Sequence, residues 1–350
     1  MSQEKSTRLI PAEKLFSFVE NVLAAVGVPR EDASIVADCL LTANLSGIDT
    51  HGVVRLAHYV RRLQNGTIKT KPQLKFERVA PSLGIMDGDD GLGHVVMYNA
   101  CTHAMELAEE SGSGAVVVKN SSHFGMTGFY IMRIVSEGYA GMAMTATDAF
   151  LIPFGGRKPF FGTNPIAFGF PTDGIPVILD MATTSIPYGK IALAKTEGKP
   201  IPPDWGFDEE GNPTTDPNRI AGLHPIAGPK GSGLAMIIDI FSSVLSGMPW
   251  GPHINKMYTE LDKPRKLGHF VWVLDIKRFM PLEEFKRRLG EMLRELNAMP
   301  PADGFDFVYY PGQIEGKRRE KRRQEGIPID PGLYQELEEL GKRLNVPFPG

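Results

Sequence analysis

From residue 75 onward this chain alternates strand-like and helix-like segments, yet nowhere does it complete Gly-x-Gly-x-x-Gly between a strand and a helix. That gap constrains the fold strongly. A Rossmann-type dinucleotide site needs those glycines for its tight turn, for close approach to a pyrophosphate and for helix packing. The nearest candidates, Gly91-Leu92-Gly93 and Gly231-Ser232-Gly233, lack the third glycine and an acidic residue at the next strand end. The expected fold is therefore α/β but non-Rossmann. A nucleotide is not excluded, because any glycine-rich helix start can cradle phosphate. Gly228-Pro229-Lys230-Gly231-Ser232-Gly233 opens the most apolar helical pattern of the chain with a lysine at its start, and reads equally as a packing turn.

The first 66 residues have a different texture. Residues 11–26 form an amphipathic pattern with Leu15, Phe18, Val19, Val22 and Leu23 on one stripe. A second helix is expected over residues 30–45, stopping at Gly47, and a third from just after His51 to Asn65-Gly66. Beyond them, strands are expected at 82–86, 114–118, 140–145, 166–170, 177–179, 269–276 and 305–310, and helices at 94–110, 127–137, 232–245 and 282–297. The expected division is an N-terminal helical unit of residues 1–74, packed with residues 250–350, and an α/β cofactor-binding unit of residues 75–249. Residues 200–217 form a polar loop too long for a simple connection, as expected of a lid or an interface arm. The helix at 232–245 is apolar enough to be expected in the core.

With 42% apolar residues among 350, the chain can bury a large core. A formal net charge of −3 leaves no electrostatic footprint for nucleic acid or an anionic membrane. The run Lys317-Arg318-Arg319-Glu320-Lys321-Arg322-Arg323 reads as the solvated face of an interrupted helix. Cys39 and Cys101 sit in helix-like patterns without metal spacing, which suits a reducing compartment. Met1 to Arg8 is polar, without a signal-peptide apolar stretch, and no run reaches the roughly 18 apolar residues of a membrane span. A cytoplasmic protein is expected.

Two histidine motifs carry the chemical signal: Asp49-Thr50-His51-Gly52-Val53-Val54-Arg55 and Ser121-Ser122-His123-Phe124-Gly125. Each ring stands where a loop meets a helix, flanked by hydroxyls and glycine. A ring so placed either caps the helix or handles a proton for a ligand. His51, Arg55 and Tyr59 are spaced i, i+4, i+8, expected to share one helix face, either a solvated face or a cleft wall. There Arg55 would hold a carboxylate through two parallel hydrogen bonds. Asp180 ends an apolar strand, as a helix N-cap or as an orienting partner for a ring. Gly162-Thr163-Asn164-Pro165 reads as a structural turn. The other histidines share no ligand spacing, so no metal site is expected.

Taken in order, Thr50-His51-Gly52 with Arg55, Ser122-His123-Phe124-Gly125, Pro153-Phe154-Gly155-Gly156, Gly162-Thr163-Asn164-Pro165, Asp180-Met181-Ala182-Thr183, Gly228-Pro229-Lys230-Gly231 and Pro311-Gly312-Gln313 resemble the type 2 malate/L-lactate dehydrogenase family, through nearly the whole chain. The resemblance implies a mixed sheet core with an N-terminal helical unit. It also implies hydride transfer between NAD, or NADP, and a small hydroxy acid, in a homodimer. Met257-Tyr258, residues 294–298 and residues 308–313 resemble most the branch that oxidises (S)-ureidoglycolate to oxalurate. Other members act on malate or lactate, or reduce cyclic imines. A non-catalytic binding protein on the same fold is the alternative of another class. The resemblance implies His123 as proton acceptor, His51 as the proton donor of other branches, and Thr50 and Asp180 as their support. Arg55 and Tyr59 fall at substrate positions, with Thr163 and Asn164 assigned alongside them. Thr147, Asp180, Met181, Ala182, Lys230, Gly312, Gln313 and Ile314 fall at cofactor positions.

Overall fold

A computed structural model describes residues 7–349. Most of the polar opening stretch, residues 1–6, lies outside them. The chain begins with β1 (Arg8–Ile10), α1 (Ala12–Ala25), α2 (Arg30–Ser46) and α3 (Leu56–Gln64). Gly47 ends α2 in the left-handed conformation at φ 77°, the conformation expected of a glycine cap. Next come β2 (Lys75–Ala80), β3 (Leu83–Asp87), α4 (Gly93–Ser111), β4 (Ser113–Ser121), α5 (Thr127–Ser136), β5 (Ala140–Thr145), β6 (Ile166–Phe170) and β7 (Val177–Met181). They are followed by α6 (Tyr188–Glu197), β8 (Gly206–Phe207), β9 (Gly222–Leu223), α7 (Pro229–Asp239), β10 (Leu267–Leu274) and α8 (Leu282–Asn297). The chain closes with α9 (Gln313–Glu325), β11 (Ile327–Ile329) and α10 (Pro331–Leu344).

Seven strands form one sheet in the order β2-β3-β4-β10-β5-β6-β7. Only β3 and β4 run parallel; the other neighbours are antiparallel, so the sheet is mixed. β10 lies at its centre, between β4 and β5, which corrects the expected grouping of residues 250–350 with the helical unit. The later part of that segment does pack there: Ile327, Ile329, Leu337 and Leu340 share a core with Leu15, Phe18, Val22, Leu40 and Leu56, and β1 pairs with β11. A contiguous core under α4 and α5 (Val96, Met97, Ala104, Phe129, Ile134) covers one face of the sheet.

Five further expectations are corrected. Residues 305–310 form no strand, and Phe305 is exposed; the edge strand β7 is met instead at Pro311, whose carbonyl accepts from Ile178 N. The helix after His51 starts only at Leu56; residues 49–55 make two 3₁₀ turns broken at Gly52, whose ψ of −151° is extended. The apolar helix starts at Pro229 and widens into a π turn, Ile240–Val244, and it is not a core helix. Ala235, Ile238 and Asp239 face the sheet while Met236, Ile237, Ile240, Phe241, Val244 and Leu245 stay exposed. The polar loop is no extended arm, since β8 pairs with β9 and Ile201 packs with Ile186, Ile191 and Leu223. The basic run lies within the unbroken helix α9 and is only partly solvated. Arg322 pairs with Asp49 at 2.7 Å and donates to the Asn44 carbonyl near the end of α2, where a cation suits the helix dipole. No helix among the described residues is long and apolar enough to cross a membrane.

Candidate active site

The two histidine motifs, 72 positions apart in sequence, meet in space. The His51 and His123 rings lie 5.9 Å apart, nearly parallel at 21°. A glycine at 93 lets α4 begin directly beneath the second motif, since a Cβ there would come within 2.1 Å of the Ser122 carbonyl oxygen. Thr50 Oγ1 stands 3.1 Å from His51 Nδ1, and Tyr59 Oη 2.7 Å from His123 Nδ1. Each ring therefore has one nitrogen engaged by a hydroxyl. Tyr59 is fully buried, and His94 packs edge-on against it with centroids 4.8 Å apart. The expectation that His51, Arg55 and Tyr59 share one face of a continuous helix fails at Gly52, where the helix is interrupted. Tyr59 turns inward as a positioning residue for His123.

Burial holds both imidazoles uncharged. His51 is pushed down to about 4, by burial first and then by the Arg55 charge. His123 is held well below the ordinary imidazole value by burial, then by His51, Arg55, His94 and Arg265. When Nδ1–H of His123 donates to the phenol oxygen, Nε2 keeps a lone pair and the ring is a base. When Nδ1 accepts, as the 3.3 Å approach of the Gly125 amide favours, Nε2–H only donates a hydrogen bond. The first tautomer can take a hydroxyl proton at Nε2 in oxidation, and the resulting imidazolium can return it in reduction.

Cations crowd the same place. Arg55 Nε donates to the Thr50 carbonyl at 2.6 Å and its NH1 to the hydroxyl of Tyr258. Arg265, 2% exposed, pairs through NH2 with Asp148 at 2.7 Å, while its buried Nε and NH1 have no partner among the described residues. Unpaired buried guanidinium donors are costly unless an anion takes them. Sequence reading missed Arg265, which stands in Lys263-Pro264-Arg265-Lys266 without periodicity or motif; only the close approach of the 254–266 segment to α3 reveals it. His58 reports the field: burial, then Arg62, Arg55, Arg265 and Arg61, push it down to about 3.

The proposed cofactor positions gather around the end of β7. Thr163 N donates to Thr147 Oγ1 at 2.9 Å, Thr183 N to the Thr163 carbonyl at 2.9 Å, and Ile226 N to the Thr183 carbonyl at 2.9 Å. This ladder leads to the N-terminus of α7, which no side chain caps and where Lys230 is exposed. Gly312, at φ 87°, lies flush on β7, since a Cβ would stand 2.9 Å from the Ile178 nitrogen. Asp180 accepts from the Gly128 amide at 2.7 Å, capping α5 from a distant strand. It reaches neither histidine ring by hydrogen bond, and burial pushes its carboxyl up to about 6 against the lowering effect of that amide. Met181 and Ala182 follow it, half-buried, and Ile314 is exposed.

Two assigned residues are spent inside the protein. Asn164, fully buried, accepts from Thr147 N at 3.0 Å and donates to the Ala235 carbonyl at 2.9 Å, so it latches the sheet to α7 and offers nothing to a substrate. The Gln313 amide forms a two-way pair with Asn297 at 2.9 and 3.1 Å, and its backbone N–H donates to the Tyr310 carbonyl at 3.2 Å.

A mixed sheet that ends beside two facing imidazoles and several guanidinium groups defines a small-acid oxidoreductase site rather than a Rossmann-type one. Residues 10–338 match the malate/L-lactate dehydrogenase family. The chain is 38% identical to a malate dehydrogenase of Pyrococcus horikoshii over 347 residues, covering 96% of each chain. The solved structure of malate dehydrogenase from P. horikoshii OT3 superposes with a TM-score of 0.90, covering 100% of this chain and 99% of that one. A ureidoglycolate dehydrogenase (NAD(+)) of Escherichia coli K12 is 37% identical over 329 residues, 94% of each chain. An L-sulfolactate dehydrogenase of Methanocaldococcus jannaschii is 36% identical over 340 residues, 97% of this chain and 98% of that one. The chain belongs to the malate/L-lactate dehydrogenase family, and is an NAD(P)-dependent oxidoreductase of hydroxy acids.

Proposed function

We propose that the cleft oxidises (S)-ureidoglycolate to oxalurate, with NAD as hydride acceptor and NADP as the alternative cofactor. The observation that carries the proton chemistry is His123: an imidazole held uncharged, with Nδ1 fixed by Tyr59 and no hydrogen bond to Nε2 among the described residues. Arg55 holds the carboxylate, and the hydroxyl proton passes to His123. His51, steadied by Thr50, closes the cleft on the other side and is the alternative proton carrier. The nicotinamide, when bound, accepts the hydride leaving the carbinol carbon. The residues at hand fit such a cofactor: the uncapped start of α7 with Lys230 suits phosphate, and Gly312 makes a flush ledge beside Asp180, Met181 and Ala182. Ureidoglycolate is supported by the Met257-Tyr258 and 308–313 likenesses and by the E. coli relative.

A second reading, a malate-type diacid, is favoured by Arg265, whose two unspent donors suit a second anion. Parallel assays at 340 nm with ureidoglycolate, malate, sulfolactate and lactate, each with NAD and NADP, decide between them. Absorbance change with none of the acids would overturn the hydroxy-acid reading and favour the binding-protein one.

The chain is also proposed to act as a homodimer, now through the exposed apolar face of α7 and its π turn rather than the 200–217 loop. Contiguous apolar surface of this kind on a soluble protein marks an interface. Ile240→Asp with Phe241→Glu is expected to convert a dimer to a monomer in sedimentation; a monomeric wild type at micromolar concentration would refute the proposal.

A further inference from the structure

Tyr258 stands on the segment between residues 254 and 266, and that segment is fastened to α3 by one buried side chain. Arg62, 1% exposed, reaches the carbonyls of Met257 at 2.7 Å, Lys263 at 3.0 Å, Lys256 at 3.2 Å and Glu260 at 3.3 Å. Its Nε donates to His58 Nε2 at 3.1 Å, and the His58 ring in turn meets Tyr258 edge-on with centroids 5.5 Å apart. A guanidinium spent on four carbonyls and a ring makes this segment a preorganised wall. Tyr258 is thus held over the cleft mouth, although its side chain is largely exposed.

Its hydroxyl accepts from Arg55 NH1, the group placed to hold the substrate carboxylate. An oxygen that accepts from a guanidinium keeps its own proton to donate, and among the described residues no acceptor takes the Tyr258 O–H. A fixed, unspent donor beside the carboxylate clamp discriminates by what it meets. An acid whose tail carries an accepting oxygen satisfies it directly, and an acid with a methyl tail leaves it to water.

We propose that Tyr258 is a specificity-determining residue, selecting 2-hydroxy acids whose tail bears a hydrogen-bond-accepting oxygen over those with a purely apolar tail. The proposal rests on the hydroxy-acid reading above but not on which tailed acid is the natural one. Second carboxylates, sulfonates and ureido carbonyls all qualify.

The test is Tyr258→Phe, which keeps the ring against His58 and removes only the hydroxyl. Malate and lactate serve as the tailed and methyl probes, read both by steady-state rates and by calorimetric binding to the cofactor-loaded protein. Supporting the proposal, the malate-to-lactate ratio of kcat/KM falls by about 10- to 100-fold, as loss of a hydrogen bond to a charged group predicts. The ratio of their Kd values should move the same way. Equal loss for both acids, or an unchanged ratio, overturns it and leaves Tyr258 as a packing lid. A wild type that neither binds nor oxidises either acid, or ureidoglycolate, overturns the hydroxy-acid reading instead, so the two failures are distinct.

Discussion

Two histidine neighbourhoods, one at the centre of the sheet and one at the cleft, hold imidazoles under similar physical pressure and put them to opposite uses. His269 on β10 is fully buried, and both nitrogens are satisfied: Nδ1 lies 2.7 Å from Thr145 Oγ1 and Nε2 2.8 Å from Ser121 Oγ. Burial pushes it down to about 3. His123 is depressed for the same leading reason, but among the described residues only its Nδ1 is engaged. The regions touch, since Phe124, next to His123, stacks on His269 with centroids 4.6 Å apart. A depressed ring with two partners stitches three strands together; a depressed ring with one partner has a nitrogen left for chemistry. Burial and pKa alone do not separate the two roles. The count of satisfied nitrogens does.

The contrast breaks first, and most visibly, at His123. His123→Ala is expected to lower kcat by about 10²- to 10⁴-fold, the usual contribution of a positioned proton carrier, while cofactor titration stays nearly unchanged. Retention of more than about a tenth of the activity would move the role to His51. Arg55→Lys comes next. Lysine keeps the charge and loses the planar fork, so KM for the acid should rise about 10- to 100-fold while KM for the cofactor holds. An unchanged acid KM would make Arg55 a partner of Thr50 and Tyr258 only.

At the sheet centre the expected loss is in stability instead. His269→Leu strands the buried Ser121 hydroxyl, while Thr145 keeps the Ala146 and Gly268 carbonyls, and should cost about 1–3 kcal/mol in denaturant unfolding. Its pH dependence sharpens the comparison. The folded ring titrates near 3 and the unfolded one near 6.5, so between those values the unfolded chain binds the extra proton. Stability from this ring is complete above 6.5 and declines as pH falls toward 3. Wild type should therefore lose about 1.4 kcal/mol per pH unit more than His269→Leu across that window. Parallel slopes would mean the ring is charged in the fold.

The smallest effect is an absence of change. Because His123 is held below the ordinary imidazole range, kcat/KM for oxidation should vary less than about twofold through loss of base between pH 7 and 6. An acid limb with its midpoint at or above 6.5 would show an unperturbed base.

Much of the helical and strand pattern was legible from local physics. The α2 stop at Gly47, the strand Ser113–Ser121 around its Val116-Val117-Val118 run and the helix Leu282–Asn297 follow from glycine caps, β-branched runs and periodicity, all set by neighbouring residues. Both histidine motifs, Arg55, and the glycine-rich start of α7 were also readable, because hydroxyls, glycines and rings in short spacing carry their chemistry with them.

The reach of each side chain was not readable. The spacing of His51, Arg55 and Tyr59 presumed one continuous helix, and the break at Gly52 sent Tyr59 inward to His123. Asn164 and Gln313 look like ligand groups until their buried partners, Ala235 and Asn297, are seen. The apolar helix looked like core because composition records hydrophobicity but not which face meets the sheet. Arg62, Tyr258 and Arg265 act across contacts that join α3 and the first histidine motif to a segment about 200 residues later. Sequence by itself determined local structure and the chemical types present, since both depend on near neighbours. Only tertiary structure decided which polar groups are already satisfied and which remain open, since that depends on partners that chain folding alone brings together.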